Sequence, residues 1–295
     1  MLWLSNPQKR IQSILIKIGR GSASEANLAS LAQLLNKEPS ALPEVIGVLT
    51  GILKGGDTKA YSSAITALNM VAEKDLELAA GSVDAVMNCI RRGEKEFRED
   101  WILGSLDILI KISQKYPERM GIAVSDLLMC LESISAAVRE KSYFLLALMA
   151  IMKPGVFSGH SKELVRVLNG LNTDERIFAC RLIKKIAERD PKIVEDAYDI
   201  LEDLRLNHLD SNLRSEAAYA VEKLKVKENI IGQKPRRSSI KRAKPREKTK
   251  AVDLIKEVSG ASDISFSELA SLIVPDEKDI KDTLKGLGLN HLIKK

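Results

Sequence analysis

Two groups of side chains in this sequence are spaced so that they could do chemistry. The first is a series of single bases, Arg98, Arg139, Arg176 and Arg214, at steps of 41, 37 and 38 residues, with Lys59 a further 39 residues upstream. Set along one side of a protein, such a row would meet an acidic ligand. The structural alternative is that each base lays its stem over a neighbouring helix and pairs with a nearby acid, as Asp174 with Arg176 or Asp210 with Arg214. The second group is Lys234, Arg236, Arg237, Lys241, Arg242, Lys244, Arg246, Lys248 and Lys250, nine bases against the single acid Glu247. A polycation of this density attracts nucleic acid or another polyanion by releasing counterions, which makes the attraction non-specific and steeply salt-dependent. No aromatic residue interleaves the bases, so they offer no platform on which single-stranded bases could stack. Ser238 and Ser239 follow Arg236 and Arg237 in the pattern of a basophilic kinase site, where phosphate would subtract charge from the run.

Nothing else in the chain has the spacing of a reactive centre. His160, His208 and His291 are scattered, without HExxH spacing or a cysteine at metal-ligand distance. The sequence contains no GxxxxGK[ST], GxGxxG or GxSxG, which removes the common phosphate cradles and nucleophile elbows. Cys89, Cys130 and Cys180 lie far apart with no CxxC pair, a pattern in which each thiol serves as a small apolar side chain in a reducing compartment. No catalytic, cofactor-binding or metal-binding residue is assigned, and the chain reads as non-enzymatic.

The elements that position the arginine series show best in Leu209 to Leu224, LDSNLRSEAAYAVEKL. Asp210 and Asn212 suit a helix start, because their side-chain oxygens can accept from backbone N–H groups left unpaired in a first turn. Beyond Arg214, the residues Ala217, Ala218, Val221 and Leu224 recur at three and four, one face of a helix on which the alanines let a neighbour approach closely. Comparable faces follow Arg176 (Ala179, Cys180, Ile183, Ile186), Arg139 (Ser142, Tyr143, Leu146, Met149) and Arg98 (Trp101, Ile102, Ser105, Ile108). After Lys59 the face Ser63, Ala64, Ala67 and Met70 is slipped by one residue. The order Asp, Asn, Arg, Ala-Ala and then apolar residues resembles the second helix of a HEAT repeat, an armadillo-like helical repeat. The resemblance implies a solenoid over residues 1–226 in which the basic ladder is structural. The spacing itself lies in the window of helical-pair repeats.

The expected fold class is therefore all-α: a HEAT-like solenoid of five or six antiparallel hairpins, with helix pairs Pro43–Lys54 with Lys59–Lys74, Val83–Arg92 with Arg98–Tyr116, Met120–Glu132 with Ala137–Met152, Lys162–Gly170 with Asp174–Asp190, and Pro191–Leu206 with Asn212–Lys225. Residues 7–37 supply an end-capping pair. Residues 227–250 read as a basic flexible linker, too charged and too poor in apolar residues to offset the cost of ordering. Residues 251–295 read as a small helical module whose pattern of two helices and a short apolar end resembles a winged-helix or PCI-type tail. Acidic residues Asp276, Glu277, Asp279 and Asp282 on its second helix argue against groove reading in DNA and for protein docking.

Charge follows the same division. The net +6 of the chain comes from the linker at +8 and the tail at −2, which leaves the repeat body neutral. The longest apolar run, Tyr143 to Met152, is half the roughly 20 residues a bilayer needs, so no membrane segment is expected and the chain is placed in the cytoplasm. The expected function is that of a scaffold or adaptor holding a protein partner on the solenoid surface, with the arm adding electrostatic attachment. The alternatives are a nucleic-acid-associated regulator acting through arm and tail, or the regulatory subunit of an enzyme complex.

Overall fold

Several helices in this protein start where a short polar side chain satisfies the backbone. In the computed structural model, which describes residues 6–231, Asn6 Oδ1 accepts from Gln8 N at 3.0 Å with Pro7 in the first turn, and Ser24 and Asn27 cap one another reciprocally. Ser135, Asn172 and Asp210 likewise accept from Val138, Asp174 and Leu213 N–H groups. These caps open α1 (Pro7–Gly19), α2 (Glu25–Lys37), α9 (Ala136–Met152), α11 (Thr173–Arg189) and α13 (Ser211–Ile231). The remaining α-helices are α3 (Leu42–Gly55), α4 (Tyr61–Ala72), the single turn α5 (Leu76–Ala79), α6 (Val83–Glu96), α7 (Glu99–Lys115), α8 (Val124–Cys130), α10 (Ser161–Leu168) and α12 (Tyr198–Asn207). No strand occurs among the described residues.

Apart from α5 these helices form six antiparallel pairs: α1/α2, α3/α4, α6/α7, α8/α9, α10/α11 and α12/α13. The second members stack in one layer, α4 on α7, α7 on α9, α9 on α11 and α11 on α13. The first members form the other layer, α3 on α6, α8 on α10 and α10 on α12. The core lies between and along these layers. In α9 every residue from Ser142 to Ala150 is buried, so this helix has no solvent face over that stretch. Cys89, Cys130 and Cys180 are all buried and unpaired.

Proline sets the return path. Pro39, Pro117, Pro154 and Pro191 each follow a second-layer helix and open a 3₁₀ segment that carries the chain back to the first layer. A ring with no N–H cannot continue the helix, and its fixed φ suits the first turn of the next element. This explains two departures from the sequence expectation. The helix expected over Met120–Glu132 divides into a 3₁₀ segment, Pro117–Ala123, and α8, while Pro191–Leu206 divides at Pro191–Ala197 and α12, with Val194 outside helical space at φ −126°, ψ 17°. A further difference is that α13 continues to Ile231, past the boundary placed at 226. The linker from 232 and the tail module 251–295, with its winged-helix resemblance, lie outside the described residues.

Neighbouring pairs are also joined by polar contacts one repeat apart. Lys54–Asp84 (3.0 Å), Arg91–Asp126 (2.8 Å) and Arg166–Glu132 (2.8 Å) tie the first layer; Lys111–Glu73, Lys141–Asp107 (both 2.6 Å) and Arg181–Glu216 (2.9 Å) tie the second. With most of these side chains partly in water, each pair contributes about 1 kcal/mol or less. They fix the register of packing, while the apolar interior supplies most of the stabilisation.

Two glycines mark where backbones meet. Gly21, at φ +64°, lies against the next pair so closely that a Cβ would stand 2.6 Å from the Lys59 carbonyl oxygen, and at Gly104 in α7 a Cβ would stand 2.8 Å from Ile65 Cγ2 of α4. Gly104→Ala is expected to lower stability by about 1–3 kcal/mol through overpacking. Gly51→Ala, on an open stretch of α3, is expected to raise it by about 0.5–1 kcal/mol through helix propensity. Urea titration of the two variants checks the contrast.

Candidate functional site

The arginine series sits where second-layer helices begin, and three of its members do the same thing. Arg139 Nη1 donates to the carbonyls of Ser133 (2.8 Å) and Ile134 (3.1 Å), Arg176 Nε donates to Gly170 (2.6 Å), and Arg214 Nη1 donates to His208 (2.7 Å) and Leu209 (2.8 Å). Each side chain thus reaches back five or six residues to the turn just passed, where a first-layer helix has left carbonyls without helical partners. A guanidinium supplies several donors on a rigid plane and a positive charge at the negative end of that helix. The acids act differently from the pairing considered above. Asp210 caps Leu213 N at 2.8 Å, and Asp174 lies 3.6 Å from Arg139 of the preceding pair.

Arg98 departs from the pattern because its turn is too short to reach back into. It occupies the N-cap of α7, pairs with Asp100 through Nε (3.0 Å) and Nη2 (2.9 Å), and lies 4.4 Å over the Trp101 ring. Trp101 Nε1 donates to Ser62 Oγ, which in turn donates to Asp100, both at 3.0 Å, so the cluster bridges α7 and α4. Burial alone would raise the Asp100 carboxyl; the hydrogen bonds from Arg98 and Ser62 outweigh it and hold the group below its usual range. Lys59 lies in the 3₁₀ segment Thr58–Ala60, where its N–H is capped by Asp57 at 3.0 Å. The four guanidiniums are therefore engaged by the protein's own acceptors. The linker bases Lys234 to Lys250, with Ser238 and Ser239, lie outside the described residues.

Groups that could be mistaken for a reactive centre fail on geometry or pKa. Ser125 Oγ lies 3.2 Å from His160 Nδ1 and Glu163 Oε1 lies 3.4 Å from the same nitrogen. A relay needs serine and carboxylate on opposite ring nitrogens, so this cluster cannot pass a proton from one to the other. His208 Nδ1 accepts from Asp210 N at 3.1 Å within its turn. Burial pushes the Cys89 thiol up to about 11 and the Cys130 and Cys180 thiols up to about 12, which keeps them protonated and unreactive at neutral pH. Among the described residues no group of three His, Cys, Asp or Glu side chains is placed to hold a metal.

What the structure does assemble is a shallow depression crossing the starts of α9, α11 and α13. It is lined by Ala136, Arg139, Glu140, Asp174, Ile177, Phe178, Arg181 and Asn212 and has a volume of about 200 Å³. Ala136, Ile177 and Phe178 supply the apolar part of its lining, and Phe178 stacks on the buried Tyr143 of α9, ring centroids 4.9 Å apart and planes inclined by 21°. Arg181 is held by Glu216 at 2.9 Å, and burial raises the Glu140 carboxyl above its ordinary value. Small-molecule pockets run from about 300 to 1,000 Å³. This depression instead has room for one or two side chains of a longer ligand. The sequence pattern did not single out Phe178 or Arg181; the available signal was that Phe178 follows Tyr143 by 35 residues, close to one repeat.

Stacked antiparallel helical pairs, repeating every 37 to 41 residues, decide the architecture. The fold is an armadillo/HEAT-like helical-repeat solenoid. No protein-family model matches the chain, and no curated protein does. Among solved structures the solenoid is similar to an engineered protein, at 20% identity over 76% of this chain and 94% of that one, TM-score 0.43. It is also similar to a designed armadillo repeat protein in complex with the peptide (KR)4, at 19% identity over 75% and 95%, TM-score 0.45. A third similarity is to computationally designed armadillo repeat proteins for modular peptide recognition, at 18% identity over 74% and 98%, TM-score 0.47. Among the described residues, no helix of the solenoid is long and apolar enough to cross a membrane.

Two outcomes follow from the site geometry. Arg214→Lys keeps the charge but loses the planar donors to two turn carbonyls, and is expected to cost about 1.5–3 kcal/mol in urea unfolding, most of what Arg214→Met costs. Equal stability of Arg214→Lys and the parent would show that charge alone suffices. Burial raises the carboxyl of Glu175, 9% exposed, so its favourable contribution is present below the ordinary carboxylate range and is lost as pH rises through the raised value. Glu175→Gln should accordingly raise the urea midpoint at pH 7, with the difference closing near pH 4.

Proposed function

We propose that this protein is a non-catalytic scaffold that holds an extended segment of a partner protein across the second-layer helices, with side chains of that segment entering the depression of α9, α11 and α13. The supporting observation is Phe178, held by its stacking on Tyr143, which with Ile177 gives the depression an apolar lining flanked by Arg139, Glu140, Asp174 and Arg181 at the junction of three successive pairs. An aromatic anchor ringed by charges is the composition of an interface centre, and the small volume favours a polypeptide over a metabolite. The polar groups around it give direction to an incoming chain. The arginine ladder supports the surface by fixing the turns from which these helices start.

The basic arm, Lys234 to Lys250, adds electrostatic attachment in this proposal, and two weak contacts joined through one chain gain from effective concentration. A second reading, contact with nucleic acid through the arm, is favoured by the location of the net positive charge in that one segment. A salt series on duplex DNA separates the two, since phosphate neutralisation gives a steep fall in affinity with salt and a flat response excludes it.

The scaffold proposal is tested with an array of short peptides covering the host proteome, probed with the full chain. Peptides that bind are expected to lose roughly tenfold or more in affinity to Phe178→Ala and to Arg181→Glu. The melting curves of the two variants show whether the fold is intact. Retention of every binding peptide by both folded variants would contradict the proposal.

A further inference from the structure

The turns that join first-layer to second-layer helices carry a side chain of an unexpected kind. Phe97, Ile134, Leu171 and Leu209 are 78%, 82%, 102% and 95% exposed, the highest values among the large apolar side chains of the described residues. They stand 37, 37 and 38 residues apart, one in each of the last four pairs. Because those turns all lie on the same edge of the stack, the four side chains form a stripe at about the 8–10 Å spacing of packed helices. The stripe is held on fixed backbone. The carbonyls of Ile134 and Leu209 are themselves clamped by Arg139 and Arg214, and that of Gly170, beside Leu171, by Arg176. Phe97 sits at φ +54° as the left-handed C-cap of α6, where its N–H and that of Arg98 both donate to the Gly93 carbonyl.

The surroundings of the stripe select its occupant. The turns 94–100, 131–136, 169–175 and 207–212 hold eight acidic and two basic residues; the three clamping arginines and Arg166, which pairs with Glu132, leave a net −2, carried by the Phe97 turn. Such an edge is repelled by an anionic bilayer and by the same edge of a second copy. Four side chains also offer only a few hundred Å², well short of the roughly 800 Å² per partner of a stable dimer. A complementary ligand is a basic segment with spaced apolar side chains, and this chain contains one. Residues 242–258 hold six bases against three acids, with Val252, Leu254, Ile255 and Val258 as apolar members. The segment is within reach. Ile231 ends α13 some 31 Å from the turn edge at 1.5 Å per residue, and an extended chain covers that distance in about ten residues.

We propose that the acidic, apolar edge formed by Phe97, Ile134, Leu171 and Leu209 is the docking site of this chain's own basic segment, residues 242–258. Docked there, the segment's charges are withdrawn from any polyanion, so the edge and the polyanion compete for one arm. The proposal concerns a different surface from the depression above and stands or falls separately.

The test is photo-cross-linking in the full chain carrying Leu171→p-benzoylphenylalanine and, in a parallel protein, Leu209→p-benzoylphenylalanine, positions exposed enough to accept the probe without disturbing the fold. Each is mixed with isotope-labelled copies before irradiation. Cross-links from the probe to residues 242–258 of the same copy are expected, with yield falling roughly tenfold when Arg242, Lys244, Arg246 and Lys248 are all changed to Glu. Cross-links that join labelled to unlabelled copies would mark a second copy as the occupant and overturn the proposal. Cross-links elsewhere in the chain, or none to residues 242–258 at either position, would overturn it as well, as would a yield unaffected by the charge reversal.

Discussion

A single pair of helices cannot bury both of its broad faces, and this constraint governs the whole molecule. In α9, nine consecutive buried residues from Ser142 to Ala150 need neighbours on every side, supplied by α7, α8 and α11. No pair is complete without the next, so stability accumulates along the stack through nearest-neighbour interfaces. The end pair α1/α2 fits this logic, since its helices have buried stripes, Ile11, Ile14, Leu15 and Ile18 in one and Leu28, Leu31, Leu34 and Leu35 in the other, and polar residues elsewhere. Function inherits the constraint: a stack of this kind presents its chemistry as surfaces and edges.

Polar contacts in such a stack have a different task from apolar ones. The ion pairs that join successive units connect residues about one repeat apart, so a slip of one unit against another by a helical turn would break several at once. Each is weak in water, but together they distinguish the right alignment from its neighbours. The Arg98, Asp100, Trp101 and Ser62 cluster does this with hydrogen bonds and ring contacts where the Arg98 turn is too short for the back-reaching clamp.

The sequence was most legible where a period was written in side chains. Arg214 with Ala217, Ala218, Val221 and Leu224 marked a second-layer helix, and the same spacing located α11, α9 and α7 within one or two residues. First-layer helices were harder to place, because the 3₁₀ segments before α8 and α12 carry apolar residues at nearly the same intervals as the helices they precede. The partners of Arg139, Arg176 and Arg214 could not be read at all: they are main-chain carbonyls, which every residue possesses, and only the folded turn shows which are free. The depression was hidden for a related reason. Phe178 looks like an ordinary core residue, and only the stacking of α11 on α9, which sets its ring against the buried Tyr143, places it in the lining of the depression.

The clamps also govern where the chain can change in length. An arginine that reaches back five and six residues to named carbonyls closes a loop of set size, so an inserted residue between Ser133 and Arg139, or between His208 and Arg214, would carry the acceptors out of register. The opposite edge has no such fastening: its proline-led connections range from the brief Pro39–Ala41 to the seven-residue Pro117–Ala123 and Pro191–Ala197. Growth or loss of residues in copies of this unit is thereby channelled to one border of the slab, leaving the other free to keep a constant geometry while its side chains diversify.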